Sequence, residues 1–452
     1  MKVKRIMIAA ASSGSGKTLI TCGLLGALKN RGLKPASFKC GPDFIDPMFH
    51  TKVLGTKSRN LDTFFAGDDT TRMLLCKNSV GADISVMEGV MGYYDGLAID
   101  SSRAGASDLA GVTDTPVLLI VNAKGASRSV LPMIKGFLGF QEKPCIKGII
   151  LNRISPMLYP SMKEMIEREL QTEVVGYLPV LTDCILESRH LGLMMPDEIT
   201  SLQEKLGELS AKLEKTLDID RILELADAAP DIAYKPYIPD YHAPQRLRIA
   251  LARDEAFCFF YEDNLALLRE MGAELVPFSP IHDKEIPENI DGILLHGGYP
   301  ELYLKELSEN ETMLSSLRNA LSEGIPCMAE CGGFLYLHDS LSYLDGTTYK
   351  MAGVIPARAF YNGKLTRFGY ITLDGGTMFG QNVGPMRSHE FHYFESEQNG
   401  DAYRADKPSG KRNWRCINST ETLFAGFPHL YYYANPKVPA AFLQTCARRK
   451  QL

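Results

Sequence analysis

The chain has no stretch of about 18 consecutive apolar residues, the length a helix needs to cross a bilayer, so no membrane-spanning helix and no membrane partner are expected. It has no surplus of basic charge. Lys and Arg total 49 against 54 Asp and Glu, a formal net charge of −5, so nothing in the balance argues for nucleic acid or an anionic lipid surface as a partner. Its ten cysteines are scattered and form no CxxC pair, which disfavours a zinc ribbon or a redox dithiol. There is no short tandem repeat and no low-complexity tract. The opening "MKVKRIMIAAASSGSGKT" places basic residues before apolar ones, as a secretion signal does. Its apolar part is short and runs into a Gly/Ser loop, so a first β-strand is expected instead, and a cytoplasmic location with it.

What is present is ordinary globular material: 452 residues, 45% hydrophobic and 23% charged, enough for two or three domains with cores of their own. In the first half, "RIMIAA", "ADISVMEG", "TPVLLIVNA" and "IKGIILNRI" are near-continuous in apolar residues, as strands buried on both faces are. Helical patterns such as "RSVLPMIKGFLGF" lie between them. That rhythm predicts a parallel sheet with helices on both faces. Near residue 228 it stops, and "DAAPDIAYKPYIPDYHAPQRL", with four prolines, reads as a linker. The rhythm restarts at "LRIALARDEAF". The expectation is an α/β chain of two domains, 1–228 and 247–452, joined by a linker at 229–246, each a mostly parallel sheet flanked by helices.

"ASSGSGKTLI" matches the phosphate-loop pattern G-x-x-x-x-G-K-[ST] except at its first glycine, where Ala11 stands. A strand precedes it and a helical pattern follows. Gly14 and Gly16 free the backbone, through Ser15, to turn its N–H groups around an anion. The helix N-terminus adds its positive end. Lys17 would reach the β- and γ-phosphates of ATP, and the Thr18 hydroxyl would sit on Mg²⁺. Ala11 asks only that this position not need a positive φ. For metal-binding carboxylates the chain offers Asp43 and Asp46 in "KCGPDFIDP", and Glu88 and Asp95 in "ISVMEGVMGYYDG". Glu88 ends a strand pattern, where it would face the ligand crevice.

"MAECGGFLYL" puts Cys331 between an apolar strand and a helix, followed by Gly332 and Gly333. This is the logic of a nucleophile elbow. The helix end favours a thiolate, and the glycines let an oxyanion approach backbone N–H groups. A second glycine turn at Gly297 and Gly298, in "LLHGGYPE", could complete that oxyanion site. A cysteine nucleophile needs a base. His389 and His392 in "RSHEFHYFE" and His429 in "FPHLYYYANP" are the candidates, and composition does not choose among them.

Taken in order, "GPDFIDPMFH", "NLDTFF", "VMEGVMGYYDG", "HGGYPELY", "AECGGFLYL", "SHEFHYFE" and "PHLYYYANP" resemble the cobyrinic acid a,c-diamide synthase family over nearly the whole chain. The resemblance implies a dethiobiotin-synthetase-like, P-loop ATP domain followed by a class I glutamine amidotransferase-like domain. It implies Cys331 as nucleophile on L-glutamine and His429 as its base. It gives acidic positions of the ATP site to Asp43, Glu88 and Asp95, and an adenine contact to Asn152. Thr18, Asp43 and Glu88 would then hold Mg²⁺. Asp46, Asp95, Gly297, Gly298 and Gly332 would face substrate. The reaction implied is ATP-dependent amidation of two carboxylates of a corrinoid by ammonia from glutamine, with a homodimer left open. Rival readings keep the chemistry on hydrogenobyrinic acid or nickel-sirohydrochlorin, or replace it by a partner-regulating P-loop ATPase.

Overall fold

The computed structural model describes residues 1–181, 196–343 and 345–451. Contacts divide the chain into two compact units, Met1–Tyr237 and Ile238–Leu452. No helix among the described residues is long and apolar enough to cross a membrane.

Unit 1 is built on seven strands: β1 (Arg5–Ala10), β2 (Pro35–Cys40), β3 (Ser58–Leu61), β4 (Ile84–Glu88), β5 (Val117–Asn122), β6 (Ile146–Asn152) and β7 (Val174–Leu178). They form one sheet in the order β3-β2-β4-β1-β5-β6-β7, and every pairing is parallel. The apolar strands are apolar for this reason: β1 and β2 are buried along their whole lengths, because helices cover both faces. The helix Lys17–Asn30 packs on one face through Ile20, Leu24, Leu25 and Leu28, and Leu206, Leu209 and Leu213 of the helix Pro196–Thr216 join the same core. Strand order reverses at β1, with β4 on one side and β5 on the other. The crevice beyond its C-terminal end is therefore the switch point where open α/β sheets take ligands.

Unit 2 also centres on a sheet. It contains β8 (Leu247–Ala252), β9 (Ala273–Phe278), β10 (Gly292–Leu295) and β11 (Cys327–Glu330). Further along come β12 (His338–Ser342), β13 (Thr348–Lys350), β14 (Ile355–Tyr361), β15 (Arg367–Asp374), β16 (Met386–His392), β17 (Phe394–Ser396), β18 (Tyr403–Asp406) and β19 (Asn413–Cys416). The last strands are β20 (Asn418–Ser419), β21 (Leu423–Gly426) and β22 (His429–Leu430). The main sheet runs β20-β21-β11-β10-β8-β9, parallel except for β20. Two smaller sheets accompany it, β13-β12-β14-β17 and β19-β18-β15-β16-β22, mostly or wholly antiparallel. Their strands alternate buried and exposed residues, as in β16, because one face is open to water.

The proline-rich stretch is tied down at both ends. Ile232 and Met1 exchange backbone hydrogen bonds within unit 1, and the Ala243 N–H bonds to Met271 O within unit 2. Only its middle runs without such anchors, in keeping with the prolines, which donate none.

One glycine shows how closely the elements of unit 2 are set. A Cβ on Gly333, in the helix Gly332–Tyr336 that follows β11, would lie 2.1 Å from Leu295 O at the end of β10. Gly333→Ala is therefore expected to lower the stability of unit 2 by about 1–3 kcal/mol, the usual range for overpacking. The check is the denaturant midpoint, and an unchanged midpoint would mean the helix moves away without cost.

Candidate functional site

In unit 1 the loop after β1 makes its turn with Gly14 at φ 73° and Gly16 at φ 95°. Both lie in the left-handed region that glycine tolerates. Ala11 is not among the positive-φ residues, so its methyl group has no conformational cost there. Gly16 is also where the helix Lys17–Asn30 starts, which aims the free N–H groups of the first turn at the loop. The Lys17 ammonium bonds to Ser12 O at 3.3 Å and to Met91 O, so it folds back across the loop. Burial holds its pKa below the usual lysine value. Asn152, at the end of β6, donates from Nδ2 to Ser15 O at 2.8 Å. Its amide thus braces the loop from behind, through the space that a Cβ on Gly16 would occupy.

Glu88 closes the crevice. The Thr18 hydroxyl donates to Glu88 Oε1 at 2.7 Å, and Lys39 Nζ donates to the same oxygen at 2.8 Å. Lys39 also pairs with Asp46. Side chains of Lys39, Asp46 and Glu88 are 7%, 9% and 0% exposed, so this is a buried charge cluster, and such charges persist only when paired. Burial lowers the Lys39 pKa, but Glu88 and Asp46 outweigh it and raise it above the usual lysine value. Burial pushes Glu88 up to about 7, against the pull of Lys39. It pushes Asp43 up to about 6, with Asp46 adding to the rise. Burial raises Asp46 too, but there Lys39 prevails and the pKa falls. Across the cluster, Lys39 is the ammonium bonded to the carboxyl groups, with Lys17 acting on Glu88 and Asp46 from farther off, so two ammonium groups face Asp43, Asp46 and Glu88. His50 adds no positive charge: burial lowers its pKa to about 4, with Nδ1 against Ser37 Oγ at 2.8 Å.

The remaining shortage of positive charge fits Mg²⁺. Glu88 Oε2 is buried without a hydrogen-bond partner, and the hydroxyl and carboxylate oxygens at hand suit a hard cation. No group of three His, Cys, Asp or Glu among the described residues could hold an ion unaided. A Mg²⁺ here would depend on water and nucleotide phosphate for its remaining ligands. Asp43 Oδ1 accepts from Ile45 N at 2.9 Å. Asp95 closes its own turn, accepting from Gly92 N at 2.8 Å.

In unit 2, Cys331 has φ 47° and ψ −102°, a strained conformation for a residue with a side chain. It is the single residue between β11 and the helix Gly332–Tyr336. Its N–H bonds to Gly426 O at 2.8 Å and its carbonyl accepts from Leu335 N at 2.9 Å, so both neighbours enforce the turn. A Cβ on Gly297 would lie 2.5 Å from His429 Cε1 and 3.4 Å from Cys331 Cβ. Nucleophile, imidazole and the glycine turn after β10 therefore meet at one point. A Cβ on Gly332 would stand 3.2 Å from Gly298 N, which brings the two glycine turns together as an oxyanion site requires.

The three histidines divide. His392 stacks on Phe427 at 3.8 Å between ring centroids and bonds through Nδ1 to Phe394 O at 2.7 Å, a scaffold position. His389 stands opposite His429 in the β16–β22 register, ring centroids 6.4 Å apart. His429 alone borders Gly297 and Cys331 in these contacts. Burial, reinforced by His389, His296 and His392, keeps its pKa well below 6.5. Burial also pushes the Cys331 thiol above its usual value, with Glu301 adding to the rise and a hydrogen bond from the Gly332 N–H opposing it. The resting pair is neutral thiol and neutral imidazole, and the proton moves when a substrate arrives. Glu301 itself is pushed up to about 7 by burial.

Lys39 and His50, at the edges of "KCGPDFIDP" and "GPDFIDPMFH", and Glu330, inside "MAECGGFLYL", lie within these sequence motifs, but no role attached to them there. A lysine inside the buried strand "PASFKC" is the one available signal, since a buried lysine must be paired.

A phosphate-loop unit and a cysteine-elbow unit on one chain define a class, the ATP-dependent enzymes that draw nitrogen from a second site. Residues 6–192 match the CobQ/CobB/MinD/ParA nucleotide binding domain family. Residues 248–436 match the CobB/CobQ-like glutamine amidotransferase domain family. A protein of Caldanaerobacter subterraneus subsp. tengcongensis is 38% identical over 449 residues, covering 98% of each chain. One of Listeria innocua is 39% identical over 444 residues, covering 96% of this chain and 98% of the relative. One of Priestia megaterium is 37% identical over 460 residues, covering 100% and 99%. Each of the three is named cobyrinate a,c-diamide synthase. The chain belongs to the cobyrinate a,c-diamide synthase family.

Lys39→Met leaves Asp46 and Glu88 buried without their cation. A loss of about 3–5 kcal/mol in unit 1 is expected, as for breaking other buried pairs. Calorimetric unfolding measures it, and a wild-type transition would show that the cluster carries no charge.

Proposed function

We propose that this chain converts the a and c carboxylates of cobyrinic acid to amides in cobalamin biosynthesis, in the cytoplasm, using ATP and the side-chain nitrogen of L-glutamine. The observation that carries the reading is the Cys331 turn, with His429 beside it, in a chain whose other unit sets Thr18 on Glu88 behind a phosphate loop.

In unit 2, glutamine lies with its side-chain amide against Cys331. His429 takes the thiol proton, and the thiolate attacks the amide carbon. The carbonyl oxygen gathers charge that the backbone N–H groups of Gly298 and Gly332 stabilise. The tetrahedral adduct collapses by expelling ammonia, which takes a proton from His429, and leaves a thioester. Water, deprotonated by the same imidazole, then releases glutamate and restores the thiol.

In unit 1 the corrinoid carboxylate becomes an acyl donor: its oxygen attacks the γ-phosphorus of ATP, and ADP leaves. A free carboxylate cannot lose oxide, whereas an acyl phosphate loses phosphate readily. The loop Gly14–Gly16 cradles the ATP phosphates through backbone N–H groups, and Asn152 keeps it in shape from behind. Lys17 exchanges Ser12 O and Met91 O for phosphate oxygens and spreads the charge of the transferring group. Thr18 and Glu88, together with Asp43, would hold Mg²⁺. Bound there, the ion would screen the β- and γ-phosphates. Asp46 and Asp95 flank the crevice where the corrinoid carboxylate enters. Ammonia attacks the acyl carbon and phosphate leaves, giving the amide.

Two substitutions separate the units. Cys331→Ser is expected to lower glutamine-dependent synthesis by about 10³-fold or more while synthesis from ammonium salts persists. Mass gain on cobyrinic acid reads both, and loss of the two together in a folded variant would refute the assignment. Lys17→Ala is expected to remove synthesis from either nitrogen source while glutamine hydrolysis survives. Undiminished amidation would refute the role of the loop.

A further inference from the structure

Cysteine and histidine do not suffice for a nucleophilic pair, because the base must itself be held in one tautomer by a third group. The structure holds a carboxylate in that position. Glu330 ends β11 and immediately precedes Cys331. Its Oε2 lies 3.8 Å from His429 Nδ1 and 3.8 Å from His296 Nδ1. The Glu330 and His429 side chains are 5% and 3% exposed. Glu330 Oε1 is buried without a hydrogen-bond partner, and so is His296 Nε2. A buried carboxyl group so poorly satisfied costs stability, and a structural role would be filled better by an amide or an apolar residue. We propose that Glu330 is the positioning residue of the pair, holding His429 with Nδ1–H towards its carboxylate and Nε2 towards the Cys331 thiol, and holding His296 in the same way. This rests on the amidotransferase reading of unit 2.

The separation is longer than a hydrogen bond, as is common before substrate tightens a site. Proton transfer from Cys331 supplies the reason to close it. The imidazolium that forms is attracted to the carboxylate, so the contact is stronger in the transition state than at rest. Adjacency in sequence makes the device compact. β11 delivers the carboxylate, and the next residue makes the strained turn that exposes the thiol. The other titratable groups around His429 oppose a positive charge on it: His389 and His392 on β16 and His296 after β10 lower its affinity for a proton. Glu330 is a carboxylate within ion-pair distance of His429.

The test uses the full chain with Glu330→Gln and Glu330→Asp. Glu330→Gln is expected to lower kcat for glutamine hydrolysis by about 10²–10⁴-fold, the scale of losing an orienting carboxylate, with KM within about threefold. The acidic limb of kcat/KM should move to lower pH, because the imidazole loses the group that favours its charged form. Glu330→Asp should recover part of kcat and keep the limb at its wild-type pH. Amidation with ammonium salts should be unchanged in both. Alkylation of Cys331 by iodoacetamide at pH 7 should slow about tenfold or more in Glu330→Gln and less in Glu330→Asp, since a thiolate is alkylated and imidazolium stabilises it. A lowered kcat with an unmoved limb is what a merely structural loss gives, and it would overturn the proposal, as would wild-type kinetics and wild-type alkylation. A wild-type chain that hydrolyses no glutamine would instead overturn the amidotransferase reading, and the alkylation arm would then decide the role of Glu330 alone.

Discussion

Unit 2 is organised around a single backbone conformation, the one that Cys331 adopts between a strand and a helix. A side-chain-bearing residue at φ 47° costs about 1–3 kcal/mol, so its surroundings must impose it. Gly426 does so from the neighbouring strand, through the carbonyl that accepts the Cys331 N–H. Gly333 does so by letting the helix settle onto Leu295 O. Gly297 does so by leaving room for the His429 ring. Of these glycines, Gly297 is the one where a methyl group would meet both the His429 ring and the Cys331 side chain. The antiparallel sheet has its part in this, since β22 carries His429 into register opposite His389.

Unit 1 meets a different constraint. Its crevice must accept a highly anionic ligand, yet it has Glu88, Asp46 and Asp43 at its floor. Lys39 reconciles these demands in part, bonded to Glu88 and paired with Asp46. A pocket left short of positive charge is prepared for a cation that arrives with the nucleotide. The wall of the crevice is thus tuned to the metal complex of ATP more than to the bare anion.

Much of this was legible in the residue order. Continuous apolar runs announced the parallel strands, and the Gly/Ser loop and the Cys-Gly-Gly turn announced the two sites, because each is local: a few consecutive residues fix backbone and chemistry together. The smaller sheets of unit 2 were not legible, because pairings such as β15 with β18 and β16 with β22 join segments distant in sequence. Asn152 shows the same limit within a site. The family resemblance gave it an adenine contact, but the partner of its amide is the Ser15 carbonyl, 137 positions earlier. Lys39 and Glu330 lie within quoted motifs yet drew no role from them, since a charge inside a buried strand becomes meaningful only when its partner is known.

The resting state of Cys331 has a further consequence. A thiol kept protonated by burial, 8% exposed, offers peroxides and other electrophiles little of the thiolate they attack. The proton leaves most readily when a substrate amide occupies the turn. Chemical inertness between turnovers and reactivity during them are therefore one property, set by how much water reaches a single sulfur atom.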